Sequence, residues 1–268
     1  MINAGVLGSP ISHSFSPLLH TTAYKYLGIE GEYRAYEVAS GELVEFLQSQ
    51  GKDLTCLSLT MPLKEEALSI ADHVSNISNQ IASGNTLSKK EDGWHLTSTD
   101  VEGFSCALEA VSDVHYEMVL IIGAGATARA VAAACNFPST SLTVVGRSEQ
   151  RIQSIRHAAP LAKIEFINWD ANLDLDVYDL VVNTTPANTA KSFISSVTAP
   201  KGVLFEVIYS PWPTDLLNKW RQTGATYVDG LDLLIHQAIS QVHIFTGYEF
   251  DRTAIAHLLR TVGLKALQ

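Results

Sequence analysis

Three stretches of the chain gather glycines, hydroxyls and charges in patterns that a packed core does not need. The first is Gly123-Ala124-Gly125-Ala126-Thr127-Ala128, a GxGxxA pattern set between an apolar run and an alanine-rich run. After a strand and before a helix, Gly123 permits a tight turn and Gly125 lets backbone approach a pyrophosphate. Ala128 keeps helix and strand close. The unbonded N–H groups and the dipole at the helix start favour phosphate charge. A plain βα turn is the alternative reading. NAD sites usually carry an acid about 20 residues further on, accepting from the ribose 2′-hydroxyl. Here the next strand ends in Gly146-Arg147-Ser148, with Arg151 one turn on. A guanidinium at that place pairs with a 2′-phosphate, so NADP is favoured over NAD. Arg151 is read almost equally well as a solvated helix residue.

The second stretch, Gly8 to Pro17, brings Ser9, Ser12, Ser14 and Ser16 to the start of a helix. Such a place suits a carboxylate, although capping and turn roles alone explain most of it. The third is Ser58-Leu59-Thr60-Met61-Pro62-Leu63-Lys64. Ser58 and Thr60 share a strand face if the strand continues to Thr60, and Lys64 falls in a first helical turn, where the dipole disfavours a cation. Asn85-Thr86 and Thr99-Asp100 lie at strand ends or helix starts.

The elements that must position these residues alternate between strand and helix. Ala4–Leu7 reads as a strand. A helix follows with Ser16 as N-cap, Pro17 first and Gly28 as its stop. Tyr33–Val38 is a strand, Ser40–Gln50 a helix capped by Ser40, and Leu54–Leu59 a strand with a helix after Pro62. Asn85–Ser88 and Trp94–Thr97 form a hairpin turning near Asp92-Gly93, and Asp100–Val111 is a helix leading into a second unit. Met118–Ile122, Leu142–Val145, Ile164–Ile167, Leu180–Val182, Val203–Phe205 and Thr226–Val228 are strands. Helices are expected after the glycine turn, from Ser148 and over Thr214–Thr223. Leu231–Leu267 is two helices broken near Gly247. This alternation predicts an α/β protein with parallel sheets.

Composition narrows the partners. Eighteen basic residues stand against 28 acidic ones, a formal net charge of −10. A general nucleic-acid or anionic-membrane binder is not expected. Cys56, Cys106 and Cys135 show no metal spacing, so no metal site and no disulfide framework are expected, and a cytoplasmic setting is. No signal peptide and no membrane span are expected.

The ordered blocks GSPISHSFSP, SLTMPLK, SGNTL, STDVEG, GAGATARA, VGRSEQR, VIYSPWPT and GLDLLIHQA closely resemble shikimate dehydrogenase, from Gly8 to Gly247. The resemblance implies a substrate domain of residues 1–100 and 231–268. It also implies an inserted Rossmann-like doubly wound NADP domain of residues 101–230, and a cleft between the two. Ser14, Ser16 and Tyr209 would hold the shikimate carboxylate. Thr60, Asn85 and Gln237 would contact ring hydroxyls, and Lys64 with Asp100 would form the catalytic pair. Gly123 to Ala128, Arg147, Ser148, Arg151, Thr185, Ile208 and Gly230 would contact NADP. The implied reaction is reversible hydride transfer between NADPH and the C3 carbonyl of 3-dehydroshikimate, in aromatic amino-acid biosynthesis, by a monomer or homodimer.

A carboxylate at about 4 Å stabilises an ammonium by about 4 kcal/mol at an effective dielectric of 20, before desolvation. A charged lysine suits the reduction; which of the pair moves the proton stays open. Two other readings are a quinate/shikimate dehydrogenase with relaxed cofactor use and a non-catalytic NADP-binding sensor on the same fold. Retention of both Lys64 and Asp100 favours catalysis. The chain departs from the common family pattern at Ser58 (usually Asn), at Ser98 and Val101 (usually Asn and Gly), at Gly146 (usually Asn) and at Glu206 (usually Asp).

Overall fold

The computed structural model of the chain describes residues 2–112 and 114–267. The elements run β1 (Ile2–Gly8), α1 (Ser16–Leu27), β2 (Gly31–Glu37), α2 (Leu43–Gln48), β3 (Cys56–Leu59), α3 (Leu63–Glu66), β4 (His73–Val74), α4 (Asn76–Ile81), β5 (Thr86–Lys90), β6 (Gly93–Thr97) and α5 (Asp100–Glu109). They continue with β7 (Met118–Ile122), α6 (Ala126–Ala134), β8 (Ser141–Gly146), α7 (Ile152–Ala158), β9 (Lys163–Asn168), β10 (Leu180–Asn183), β11 (Val203–Glu206), α8 (Asp215–Gln222), β12 (Tyr227–Asp229), α9 (Gly230–Thr246) and α10 (Arg252–Leu267). The chain divides into two compact units, Met1–Gly103 with Leu234–Gln268, and Phe104–Leu233. The boundaries fall inside α5 and α9.

The first unit holds a six-stranded sheet in the order β2-β1-β3-β5-β6-β4. It is mixed, not parallel throughout: β5 runs antiparallel to both β3 and β6. The hairpin is the cause, because a two-residue turn can join only antiparallel strands. Leu7, Leu43, Leu57, Leu63, Leu87 and Leu96 pack on one side in a fully buried cluster.

Two helix starts in the first unit differ from the sequence reading. Ser16 is the first residue of α1 rather than its cap, and its N–H is met by the Ser14 hydroxyl at 3.3 Å. The second helix begins at Leu43, not after Ser40. Gly41 turns the chain at φ +86°, and the Glu42 carboxylate accepts from Ala39 N–H at 2.9 Å. The helix stop at Gly28 is as expected, with φ +65° and Ile29 N–H bonded back to Tyr24 at 2.8 Å.

The second unit is a parallel sheet in the order β12-β11-β10-β7-β8-β9. Counted within the unit, that is the doubly wound 3-2-1-4-5-6 order, which reverses direction between β7 and β10. Leu120, Ile122, Val181, Leu204 and Trp220 form the buried core on one face. Trp220 is fully buried and donates its indole N–H to Thr226 O at 3.0 Å. Trp220→Ala removes that ring and is expected to cost about 3–5 kcal/mol, read as a lowered urea midpoint; a midpoint within error of wild type would show that this core does not depend on it.

Candidate active site

The first unit brings four of the expected residues into one hydrogen-bonded group. Lys64, the second residue of α3, places its Nζ 3.0 Å from Asp100 Oδ1 and 2.8 Å from Oδ2. Its side chain is 17% exposed and that of Asp100, at the start of α5, 2%. Gln237, on α9, donates to Asp100 Oδ1 at 2.6 Å and Asn85 donates to the same oxygen at 3.1 Å. The Ser98 hydroxyl adds a longer bond to Oδ2 at 3.4 Å. The ion pair offsets the poor electrostatics of a lysine in a first helical turn. The main chain fixes the lysine as well, since its carbonyl accepts from Gly84 N–H at 2.9 Å.

Asn85 is spent inside this group. Its Nδ2 serves Asp100 and Thr99 Oγ1, and its Oδ1 accepts from Thr99 N–H at 2.8 Å and Thr86 Oγ1 at 2.7 Å. It is buried and bonded at both ends of its amide.

The loop carrying Ser14 and Ser16 meets the loop carrying Thr60. Thr60 N–H bonds Leu7 O at 2.9 Å and Ser9 N–H bonds Met61 O at 3.0 Å. Glu37, which the sequence reading did not single out, pins the first loop by accepting from Ser9 Oγ at 2.6 Å and Ile11 N–H at 3.0 Å.

Ser58 is turned into the interior. Tyr33 donates to its hydroxyl at 2.5 Å, and that hydroxyl donates to Gln241 Oε1 at 2.7 Å. Gln241 in turn donates to Asn85 O and Thr86 Oγ1 at 3.2 and 3.0 Å. Beneath them His20 stacks on Tyr33 at 3.9 Å and its Nδ1 meets Ser16 O at 2.9 Å. Burial pushes this imidazole down to about 4. Gln241 was also missed, although a readable signal existed: it sits one helical turn after Gln237, on the same face.

In the second unit Gly123 turns at φ +111°, and a Cβ there would strike the Thr184 side chain. Gly123 N–H bonds Val145 O at 2.8 Å, and Thr184 bonds Ile122 O through both N–H and Oγ1 at 2.9 Å. The turn is thus tied to both neighbouring strands. A Cβ on Gly125 would meet nothing within 4 Å, and Ala128 is fully buried. Gly123, Ala124, Arg147, Ser148, Arg151 and Thr185 share the wall of one pocket of roughly 830 Å³, open mouth included, with Gly146, Trp169, Pro186 and Thr189. That wall holds two guanidinium groups and no carboxylate. Arg147 lies 5.7 Å over the Trp169 ring. Ala126 and Thr127 open α6, whereas Ile208, Tyr209 and Gly230 lie outside the pocket wall. A Cβ on Gly230 would strike the Val207 carbonyl, so its glycine is required by backbone packing.

Behind the pocket a buried carboxylate organises the strand ends. Glu206, fully buried, accepts from Asn183 Nδ2 at 2.9 and 3.1 Å and from Thr214 Oγ1 at 2.8 Å. Asn183 Oδ1 accepts from Thr185 Oγ1 at 2.7 Å, so Glu206 fixes Thr185 at one remove. Burial pushes the Glu206 carboxyl up to about 6, against the lowering effect of these donors.

A doubly wound sheet with a glycine turn in one unit, and a buried lysine–aspartate pair in the other, define an α/β enzyme of the nucleotide-dependent oxidoreductase class. The profile of the shikimate dehydrogenase substrate binding domain matches residues 6–87. The NADP(+) shikimate dehydrogenase of a Nostoc species is 30% identical over 97% of each chain. The crystal structure of Mycobacterium tuberculosis shikimate dehydrogenase superimposes with a TM-score of 0.87, at 32% identity, over 97% of this chain and 100% of that one. The Thermus thermophilus shikimate 5-dehydrogenase, in complex with NADP(H) and shikimate, gives 0.84 at 28% identity, over 98% of this chain and 100% of that one. The chain belongs to the shikimate dehydrogenase family.

Because the Glu206 carboxyl is raised in the fold, its protonated form is the favoured one: this contribution is fully present below the unfolded value and is lost as pH rises through about 6. Between about pH 7 and about pH 5 wild type is expected to gain on the order of 1 kcal/mol relative to Glu206→Gln. Urea midpoints of both proteins across that range test this, and a difference that does not change with pH overturns it.

Proposed function

We propose that the chain catalyses the reversible NADPH-dependent reduction of 3-dehydroshikimate to shikimate. The observation that carries the reading is the Lys64 ammonium held at both oxygens of a buried aspartate, which is itself fixed by Gln237 and Asn85. That arrangement is a preorganised cation for a developing alkoxide. The names of the relatives support the substrate and cofactor.

The second unit suits NADP on chemical grounds. Gly125 leaves room for a pyrophosphate at the start of α6, whose first N–H groups have no side-chain cap. Arg147 and Arg151 supply positive charge in a wall without acids, matching a 2′-phosphate. Thr185, Ser148 and the Gly123–Ala128 turn complete the assigned contacts, with Ile208 and Gly230 further along the strand ends. When bound, NADPH supplies the hydride.

The rest of the chemistry belongs to the chain. Ser14 and Ser16, with Tyr209, bind the carboxylate; Thr60 and Gln237 contact ring hydroxyls. Gln237 commits one amide hydrogen to Asp100, which leaves its other polar groups for substrate. Lys64 stabilises the negative oxygen as the carbonyl is reduced and delivers the proton to it. Asp100 holds the ammonium in place and neutralises its cost of burial. Asn85, assigned with Thr60 and Gln237 to the ring hydroxyls, also bonds Asp100. Cys56, Cys106 and Cys135 are not joined in disulfides, which suits the reducing, cytoplasmic setting expected of a monomer or homodimer.

The direct assay follows reduced nicotinamide absorbance on adding shikimate and NADP; no turnover at high enzyme overturns the assignment. Lys64→Ala should lower kcat by about 10²–10⁴ with KM little changed. A raised KM with kcat intact would make Lys64 a binding group only. Arg147→Ala should lower kcat/KM for NADP by about 10–100-fold and leave NAD unaffected; an equal loss with both cofactors would remove Arg147 from the 2′-phosphate.

A further inference from the structure

At the turn of the β5–β6 hairpin three side chains with metal-binding chemistry converge. β4 joins β6 in parallel with His73 directly opposite His95. Residues directly opposite on neighbouring strands project to the same face, and the two imidazoles stack with centroids 4.4 Å apart. The hairpin closes at the Lys90–Gly93 pair, leaving Glu91 and Asp92 as the turn. Gly93 takes φ +120°, and the neighbouring Asp72 accepts from Trp94 N–H at 2.8 Å. This conformation swings Asp92 back over the histidines. Its Oδ1 lies 2.8 Å from His95 Nε2 and its Oδ2 3.1 Å from His73 Nε2. One ligand atom from each of the three residues lies within 4.8 Å of the other two.

We propose that His73, Asp92 and His95 form a surface site for a divalent transition metal of the zinc class. Two neutral imidazoles and one carboxylate are the borderline donor set that suits zinc, and a harder cation such as magnesium prefers oxygen ligands alone. Ligand atoms about 2.0–2.2 Å from a tetrahedral ion stand roughly 3–3.5 Å apart, close to the nitrogen–oxygen separations present. Binding brings the two imidazole nitrogens and the carboxylate around one ion by side-chain rotation and replaces the N–H···O bonds with metal bonds. Three protein ligands leave a fourth position for water. The site lies at the turn end of β6; Asp100 follows its opposite end. It is invisible to spacing rules because strand register, not sequence distance, joins His73 to the hairpin.

The test uses untagged, chelator-treated full-length protein and zinc chloride in isothermal titration, with magnesium chloride as the control. One zinc per chain is expected to bind with release of heat or protons and to raise Tm, and magnesium to do neither. His73→Asn and His95→Asn should each weaken zinc binding at least about tenfold, with apo Tm and dehydrogenase turnover retained. Cobalt should give a visible ligand-field band in wild type that is lost in either variant. Zinc binding of equal strength in the variants would place the ion on other histidines and overturn the proposal, as would binding no tighter than that of magnesium. If a variant lowers apo Tm, the cobalt band of the Asp92→Asn protein decides: an unchanged band overturns the site.

Discussion

The arrangement around Asp100 sets terms for the whole first unit. A carboxylate removed from water is strongly destabilising unless cations and donors replace its hydration. Here the replacements come from four separate segments: Lys64 from α3, Asn85 from the lead-in to β5, Ser98 from the residues before α5, and Gln237 from α9. None of these segments can shift without unpairing the buried charge. Just past the last pair of the antiparallel hairpin, Thr86–Thr97, the Asn85 amide oxygen reaches the backbone N–H of Thr99. Gln241 carries this inward, tying the Asn85 carbonyl to Ser58 and Tyr33. Serine, shorter than the asparagine usual at position 58, is accommodated because the Tyr33 hydroxyl and the Gln241 carbonyl close around it.

The second unit solves a related problem with a different carboxylate. Its sheet order places the first strand beside the point of reversal, where the turns after β7 and β10 stand next to each other. Thr184 secures one to the other through Ile122 O. Asn183, at the end of β10, then needs a partner on β11, and Glu206 supplies it with both oxygens. The same group bonds the Thr214 cap of α8. A glutamate in place of aspartate reaches the cap and the asparagine together. Asn183 and Glu206 each gain a partner only if both strands end in register, so this pair fixes the mouth of the pocket as Asp100 fixes the lysine.

Much of this was legible in the sequence because it rests on local rules. Met118–Ile122 is an uninterrupted apolar run, and it forms the central strand with the residues expected. The helix expected over Thr214–Thr223 forms as α8 over Asp215–Gln222, with Thr214 as its N-cap bonding Leu217 N–H. Gly28 and Gly247 end their helices as φ-positive residues should. The family blocks pointed to Lys64, Asp100, Asn85 and Gln237, which do meet. What escaped reading depends on long-range pairing. β4 and α4 are too short for a hydrophobic period. The antiparallel placement of β5 within an otherwise parallel arrangement is a property of the sheet. Ser40 looked like a cap, yet the glycine next to it redirects the chain and moves the N-cap position to Glu42, whose carboxylate bonds Ala39 N–H outside the helix. Ser16 looked like a cap, but Ser14 is the one that reaches the backbone. Glu37, Gln241, Tyr33 and His20 act as polar struts for the loops and strands around the lysine, and polar residues chosen for a strut role carry no motif.

The β5–β6 hairpin joins the two kinds of chemistry in the first unit. At one end the strands part to deliver Asn85 and Thr99; at the other they close on Asp92 between two imidazoles. The exposed end has nothing like the donor count around Asp100. An exposed carboxylate is well solvated without its histidines, and surface pairs of this kind contribute little in water. Stability alone therefore gives no reason for two stacked imidazoles to converge on one carboxylate. An ion that binds the folded hairpin and not the unfolded chain stabilises it in proportion to its occupancy. Because both strands continue to the buried end, that stabilisation acts on the pairing that presents Asn85, while the bonds to Asp100 stay as they are.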